Sequence, residues 1–296
     1  VSTVLCKAID RDTWLASRQR GIGSSDAAAV LGCSPWDSRL SLYARKLGVL
    51  TDDEETQAMR WGQILEPHII TEFALQTGRD CTPGGVLLQN EERPWQICTL
   101  DAMQDAASRE TPGVLEVKAT AYRAGDWTEG VPPHVYAQVQ HQLAVTGCTW
   151  GSVAVLLHGS RLLWTDVERD EPFIAGLIEA EAEFWRALEA REPVGVDGTE
   201  ATKRALKALY PRDTGESVAL PGYLIERDAE REALLAEKKR IEFALAEVDA
   251  EIKLALGDAS EGTLASGVTY TYRAQSRAEH VVKASTFRVL RRKESK

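Results

Sequence analysis

Glu116 and Lys118 stand two residues apart in Val114-Leu115-Glu116-Val117-Lys118, fifteen residues after the Asp101 of Thr99-Leu100-Asp101. The alternation predicts a short strand, on which Glu116 and Lys118 share one face and Leu115 and Val117 the other. An acid and a base so placed fit two readings. One is an ion pair on a solvated edge strand. The other is half of a metal site, where carboxylates on adjacent strands hold a hard divalent cation with the lysine beside it. Asp101, ending another apolar run, raises the second reading. Glu66, flanked by Leu65 and Ile69 on a helical pattern, can face inward toward the same carboxylates.

A second stretch runs Gly21-Ile22-Gly23-Ser24-Ser25-Asp26-Ala27-Ala28-Ala29-Val30-Leu31-Gly32. Ser-Ser-Asp after glycines predicts a helix N-cap, and Gly32 a stop. With Arg18 and Arg20 just upstream, this is either an anion site or simply a capped helix. The five cysteines are scattered with no C-x-x-C, and the five histidines have no ligand spacing. That pattern suggests a reduced, cytosolic chain, in which any metal is held by carboxylate oxygens. Val1 to Lys7 carries no signal-like pattern, and no apolar run reaches membrane-spanning length. The net charge of −10 argues mildly against nucleic acid, but the acidity is local: residues 52–55 are all acidic, whereas residues 277–296 carry a net +5.

The positioning elements follow from periodicity. Arg11 to Arg20, with Trp14, predicts a short helix, and another begins at Pro35-Trp36. Helical spacing spans Thr56 to Thr77, with a kink or restart expected at Pro67. Strand-like runs at Val86–Gln89, Trp95–Asp101 and Val114–Lys118 predict a three-strand meander. A polar loop with Tyr122, Arg123 and Trp127 leads to a helix from His134 to Thr146, on which Gln138 and Gln142 share a side. A hairpin spans Ser152–Leu157 and Arg161–Val167, the first strand central, and a helix covers Glu171–Arg191. The order predicts an α/β fold with a mixed central sheet flanked by helices over residues 1–192. Residues 193–222 read as a linker with one short basic helix. Residues 223–296 read as an appendage, a long helix with a coiled-coil or helical-hairpin seam and a small β-hairpin.

Five motifs then stand in order: G-I-G-S-S-D-A-A-A-V-L-G, W-G-Q-I-L-E-P, L-D-A-M, L-E-V-K and A-Q-V-Q-H-Q-L. Over residues 14 to 190 they resemble the YqaJ-like viral recombinase family, relatives of the phage lambda exonuclease in the PD-(D/E)xK nuclease superfamily. The resemblance implies a restriction-endonuclease-like core. It implies metal ligation by Asp101, Glu116, Glu66 and the backbone carbonyl of Val117, with Lys118 positioning or activating the attacking water and Gln138 behind the site. Leu100 stands where the family has proline. Arg18, Ser25 and Thr99 fall where the lambda-type enzymes hold the 5′-phosphate of a DNA end.

The activity implied is Mg²⁺-dependent 5′→3′ digestion of one strand of double-stranded DNA, with Mn²⁺ as a substitute and two ions in the site. It would leave 3′ single strands for an annealing partner in phage-type recombination. A homotrimer in the cytoplasm of a bacterial host, encoded by a phage or prophage, is implied as well. The alternatives are an endonuclease or single-strand nuclease of the same fold, or a non-catalytic DNA-end-binding scaffold.

Overall fold

The structure, a computed structural model, describes residues 2–7, 16–51, 56–105, 109–121, 124–127, 129–277 and 287–293. Trp14, the acidic run 52–55, Tyr122, Arg123 and parts of the basic tail lie outside them. The chain divides into two compact units, Val1–Pro211 and Arg212–Lys296.

The helices of the first unit are α1 (Ala27–Val30), α2 (Arg39–Lys46), α3 (Gln57–Thr77), α4 (Pro133–Thr146), α5 (Glu171–Ala190) and α6 (Glu200–Leu209). Its strands are β1 (Ser2–Lys7), β2 (Cys81–Pro83), β3 (Val86–Asn90), β4 (Ile97–Thr99), β5 (Ala102–Gln104), β6 (Gly113–Thr120), β7 (Trp150–Leu157) and β8 (Arg161–Glu168). Five of them form the main sheet in the order β2-β5-β6-β7-β8. β6 and β7 pair in parallel, which requires a crossover, and α4 supplies it. The other neighbours are antiparallel, so the sheet is mixed, with helices on both faces.

Strand periodicity sorts β6. Leu115 and Val117 pack with Ile69, Ile70 and Phe73 of α3. Val114 packs with Val135, Val139 and Leu143 of α4. Glu116 and Lys118 share the parity of Val114 and are sent to the α4 side.

The expected meander is not one sheet. β3 and β4 pair in a second sheet with β1, a strand the sequence reading did not anticipate. The chain crosses from one sheet to the other at Leu100-Asp101. Leu100 packs in the α4 core and Ala102 in the α3 core, so the apolar residues on either side of Asp101 commit to opposite faces. The run expected as one strand, Trp95–Asp101, therefore shortens to Ile97–Thr99. α3 continues unbroken through Pro67, and α2 begins at Arg39, after Trp36.

Arg79 fixes the end of α3 against the sheet. Its guanidinium makes two 2.8 Å bonds to Asp166 and one of 3.1 Å to Ser152, while it lies over the rings of Phe73 and Trp150. The segment between Asp101 and Glu116, to which the spacing gave no role, contributes β5 and then Arg109. Arg109 stacks 4.3 Å from the Trp150 ring centroid and pairs with Glu168 at 2.5 Å, and Trp150 Nε1 donates to Thr111 O at 2.9 Å. α6 buries Ala201, Thr202 and Ala205, and its Ala205 joins the core that includes Leu42 and Tyr43 of α2. The stretch read as a linker from 193 thus supplies a packed helix to the first unit.

In the second unit α7 (Leu224–Leu256) is one continuous helix rather than a helical hairpin, and β9 (Glu261–Thr263) pairs with β10 (Thr269–Thr271). No residue of α7 is buried, so its seam of Leu234, Ile241, Leu245 and Val248 is open. Among the described residues no helix is long and apolar enough to cross a membrane.

Candidate active site

Glu116 is 2% exposed. Its Oε1 accepts from Lys118 Nζ at 2.5 Å and from Gln138 Nε2 at 2.7 Å, and its Oε2 accepts from Gln142 Nε2 at 2.6 Å. Lys118 also donates to Gln138 Oε1 at 3.1 Å. The ion-pair reading of Glu116 and Lys118 is thus right about the contact and wrong about its place. β6 lies inside the sheet and Glu116 is buried, with Lys118 half-buried beside it, and an uncompensated carboxylate there is strongly disfavoured. Gln142 carries no role in the sequence reading. The signal for it was its i,i+4 spacing from Gln138 opposite an acidic strand position.

Asp101 is placed by a vacancy in the sheet ladder. β5 pairs with β6 only as far as Leu115, so the Val117 N–H lies past the end of that strand. Asp101 Oδ2 accepts it at 2.7 Å. Burial, then the nearby Glu116, raise the Asp101 pKa well above the usual carboxylate value, and Glu66 adds to this. Lys118 and the Val117 N–H pull the other way. Glu66, half-buried on α3, is raised by burial and then by Glu116, with Lys118 opposing. Burial works against the charge of Lys118, but Glu116, Asp101 and Glu66 outweigh it and raise its pKa. Lys118 is therefore a cation at neutral pH.

Glu66 and Asp101 line one groove of about 580 Å³, with Ile70, Ala74, Cys81 and Gly84 among its walls. The structure thus brings Asp101, Glu116, Lys118, Gln138 and Glu66 into one electrostatic neighbourhood. Three carboxylates there share one lysine, and two of them are raised, by burial first and by repulsion second. Among the described residues no three acidic, histidine or cysteine side chains close into a preformed metal cage. The Glu116 oxygens instead face Lys118 and the two glutamines.

The turn at Gly84-Gly85 is stitched to Asp101. Gly84 N donates to Asp101 O at 2.8 Å, and a Cβ on Gly84 would lie 1.9 Å from Leu100 O. Gly84→Ala is therefore expected to push Leu100-Asp101 out of place, costing roughly 1–3 kcal/mol as an overpacking substitution. Urea unfolding reads that loss. Gly85→Ala, at φ 90°, is expected to be destabilising through backbone strain without that clash.

Arg18 and Ser25 also meet, Arg18 Nη2 donating to Ser25 Oγ at 2.9 Å. The capping expectation needs correction. Asp26 does not cap forward onto α1. Its Oδ2 accepts from Gly23 N at 3.0 Å, across a 3-10 turn of Ser24–Asp26. α1 has only four residues, too few for its dipole to serve an anion. The positive character comes from side chains: Arg18, and Lys46 of α2, whose Nζ lies 2.8 Å from Asp26 Oδ2. Lys46 had no assigned role in the sequence reading and Asp26 only that of a helix cap, since the spacing of twenty residues between them carries no signal. Thr99 ends β4, half-buried, two residues before Asp101.

The sheet order and the crossover helix define a fold class. The fold is that of the alkaline exonucleases, as in the enzyme from Laribacter hongkongensis: TM-score 0.51, 23% identity, covering 61% of this chain and 94% of that one. Residues 13–149 match the YqaJ-like viral recombinase domain. The chain is 30% identical over 263 residues to protein YqaJ of Bacillus subtilis (strain 168), covering 86% of this chain and 81% of that protein. Protein D345L of African swine fever virus is 25% identical over 158 residues, 46% of this chain and 45% of the viral protein. This chain belongs to the YqaJ-like viral recombinase family, the family its motifs resemble.

Proposed function

We propose that the chain is a metal-dependent deoxyribonuclease that digests one strand of double-stranded DNA from a 5′-phosphorylated end, 5′→3′. The observation that carries this is the cluster of Asp101, Glu116 and Glu66 around a single cationic Lys118, with Asp101 and Glu66 both raised by burial and then by Glu116. The fold relative from Laribacter hongkongensis, itself an alkaline exonuclease, supports the same reading. Surplus negative charge and an all-oxygen donor set suit magnesium, with manganese as a substitute and two ions in all. Asp101, Glu116, Glu66 and the Val117 carbonyl would hold it. When bound, magnesium acidifies a water and offsets charge on the reacting phosphate.

The chain's own residues supply the rest. Lys118 is protonated, so it donates a hydrogen bond and positive charge beside the attacking water and does not act as its base. Gln138 holds Glu116 from behind, at 2.7 Å. Arg18 and Ser25, with Thr99, would hold the terminal 5′-phosphate, which sets which bond meets the carboxylates. Water attacks phosphorus and the bond to the 3′ oxygen of the end nucleotide breaks. The phosphate stays on the shortened strand, so each cut renews the group that Arg18 recognises. The 3′ single strand left behind suits an annealing partner, and a homotrimer would enclose the duplex.

The test is digestion of a linear duplex with one 5′-phosphate and one 5′-hydroxyl end. Degradation is expected from the phosphorylated end, only with Mg²⁺ or Mn²⁺, and a covalently closed circle stays intact. Equal loss from both ends would remove the 5′-phosphate anchor, cutting of the circle would favour an endonuclease, and no hydrolysis with either metal would favour a scaffold.

A further inference from the structure

We propose that Lys46 keeps Arg18 available to the 5′-phosphate by neutralising Asp26, a buried carboxylate that would otherwise draw Arg18 to itself. This rests on the reading of Arg18 and Ser25 as the phosphate anchor.

Asp26 is 6% exposed, and the Lys46 side chain 7%. Two cations compete for that carboxylate. Lys46 Nζ lies 2.8 Å from its Oδ2, whereas Arg18 Nη2 lies 3.9 Å from its Oδ1 and donates instead to Ser25 Oγ at 2.9 Å. Among the described residues the Gly23 N–H also donates to Asp26, at 3.0 Å. Burial by itself would raise the Asp26 pKa, but Lys46, Arg18 and the Gly23 N–H more than reverse this and hold it well below the ordinary carboxylate range. Asp26 is thus an anion throughout the working pH range, and it needs a cation beside it.

Lys46 meets that need from a fixed place. It ends α2, whose Leu42 and Tyr43 are in the core with Phe184 of α5. The same ammonium donates to Arg18 O at 2.9 Å, so it also pins the backbone that carries the guanidinium. Among the described residues the close cation of Asp26 is the lysine. Without Lys46, Asp26 keeps one N–H and the arginine. A 3.9 Å gap closes by a rotamer change, after which the guanidinium is paired with Asp26 and turned from the anion it would bind. Lys46 is on this argument a positioning residue: it acts through Arg18.

The experiment compares initial rates with Mg²⁺ on matched blunt duplexes carrying 5′-phosphate or 5′-hydroxyl ends, and reads the ratio of the two rates. Lys46→Met is expected to lower the ratio by about tenfold, the scale of one charge-assisted hydrogen bond. Lys46→Arg is expected to keep most of it. The double variant K46M/D26N is expected to recover the ratio, because the carboxylate that takes Arg18 is gone. A purely structural role lowers both rates together and leaves the ratio unchanged, which overturns the proposal. So does a K46M/D26N ratio as low as that of K46M. Should K46M fail to fold, the double variant and Lys46→Arg still decide the matter, since a low ratio in K46M/D26N is incompatible with release of Arg18. If Arg18→Ala leaves the ratio at the wild-type value, the phosphate anchor itself falls, and this inference with it. A lost ratio in Arg18→Ala with an intact one in K46M removes the inference alone.

Discussion

Asp101→Asn is expected to lower DNA hydrolysis by about 10³-fold, since charge stabilisation by a bound metal contributes several kcal/mol to such reactions. The same substitution is expected to raise the melting temperature. The asparagine carbonyl can still accept the Val117 N–H, now 2.7 Å from Asp101 Oδ2, so the junction between the two sheets keeps its bond. What disappears is a carboxylate whose pKa is raised by burial and by Glu116. A raised pKa means that the folded state resists ionisation of this group. At neutral pH the ionised side chain therefore subtracts from stability, and neutralising it returns that stability. Loss of activity together with a gain in stability is the signature of a functional rather than structural carboxylate. Rates on phosphorylated duplex and thermal melts of the same preparations check both halves. Hydrolysis within tenfold of wild type would remove Asp101 from the reaction.

Glu181→Ala is expected to destabilise the first unit by roughly 3–5 kcal/mol, the usual consequence of stripping one partner from a buried ion pair. Melting should fall by roughly 10 °C for a unit of this size. Glu181 on α5 and His141 on α4 are both fully buried. His141 Nδ1 lies 2.7 Å from Glu181 Oε1, and Nε2 lies 3.0 Å from Ile97 O. Both ring nitrogens face oxygen acceptors, so the doubly protonated ring satisfies both. Gln96 Nε2 donates to Glu181 Oε2 at 2.7 Å and closes the network.

Burial alone would lower the His141 pKa. Glu181, by charge and hydrogen bond, reverses this, Ile97 O and Asp26 add to it, and the pKa is raised. A raised histidine gives stability that is fully present below the unfolded value, about 6.5. It is lost as pH rises through the higher folded value. The urea midpoint of the wild type should accordingly decline in that alkaline window. Glu181→Gln should lose much less stability than Glu181→Ala, because a neutral imidazole and an amide can satisfy each other. It should also lack the alkaline decline. An unchanged pH profile in Glu181→Gln would show that His141 is not the titrating group.

The network at His141 and the cluster at Asp101 show where sequence reading stops. Residues that act within one element were legible. Alternation placed Glu116 and Lys118 on one side of β6 and Leu115 and Val117 on the other. Helical spacing outlined α3, α4, α5 and α7, and the ordered motifs pointed to the family. Short apolar runs carried the mixed α/β class, because a sheet buried on both faces needs them.

Tertiary structure decided the pairings across elements. Glu66 meets the strand acids through α3, which Arg79 locks to Asp166, eighty-seven residues away. Gln142 reaches Glu116, Lys46 reaches Asp26 and Glu181 reaches His141 only because helices pack on particular faces. The break of the meander at Asp101 came from Leu100 and Ala102 choosing opposite cores, a choice that strand propensity does not encode. Periodicity reports which side of an element is apolar, whereas the partner of a buried charge is fixed by which elements share an interface. The acid and lysine of β6 were visible from their spacing. That the acid is buried, paired with the half-buried lysine and clamped by two glutamines, follows from the packing of α4 over the sheet.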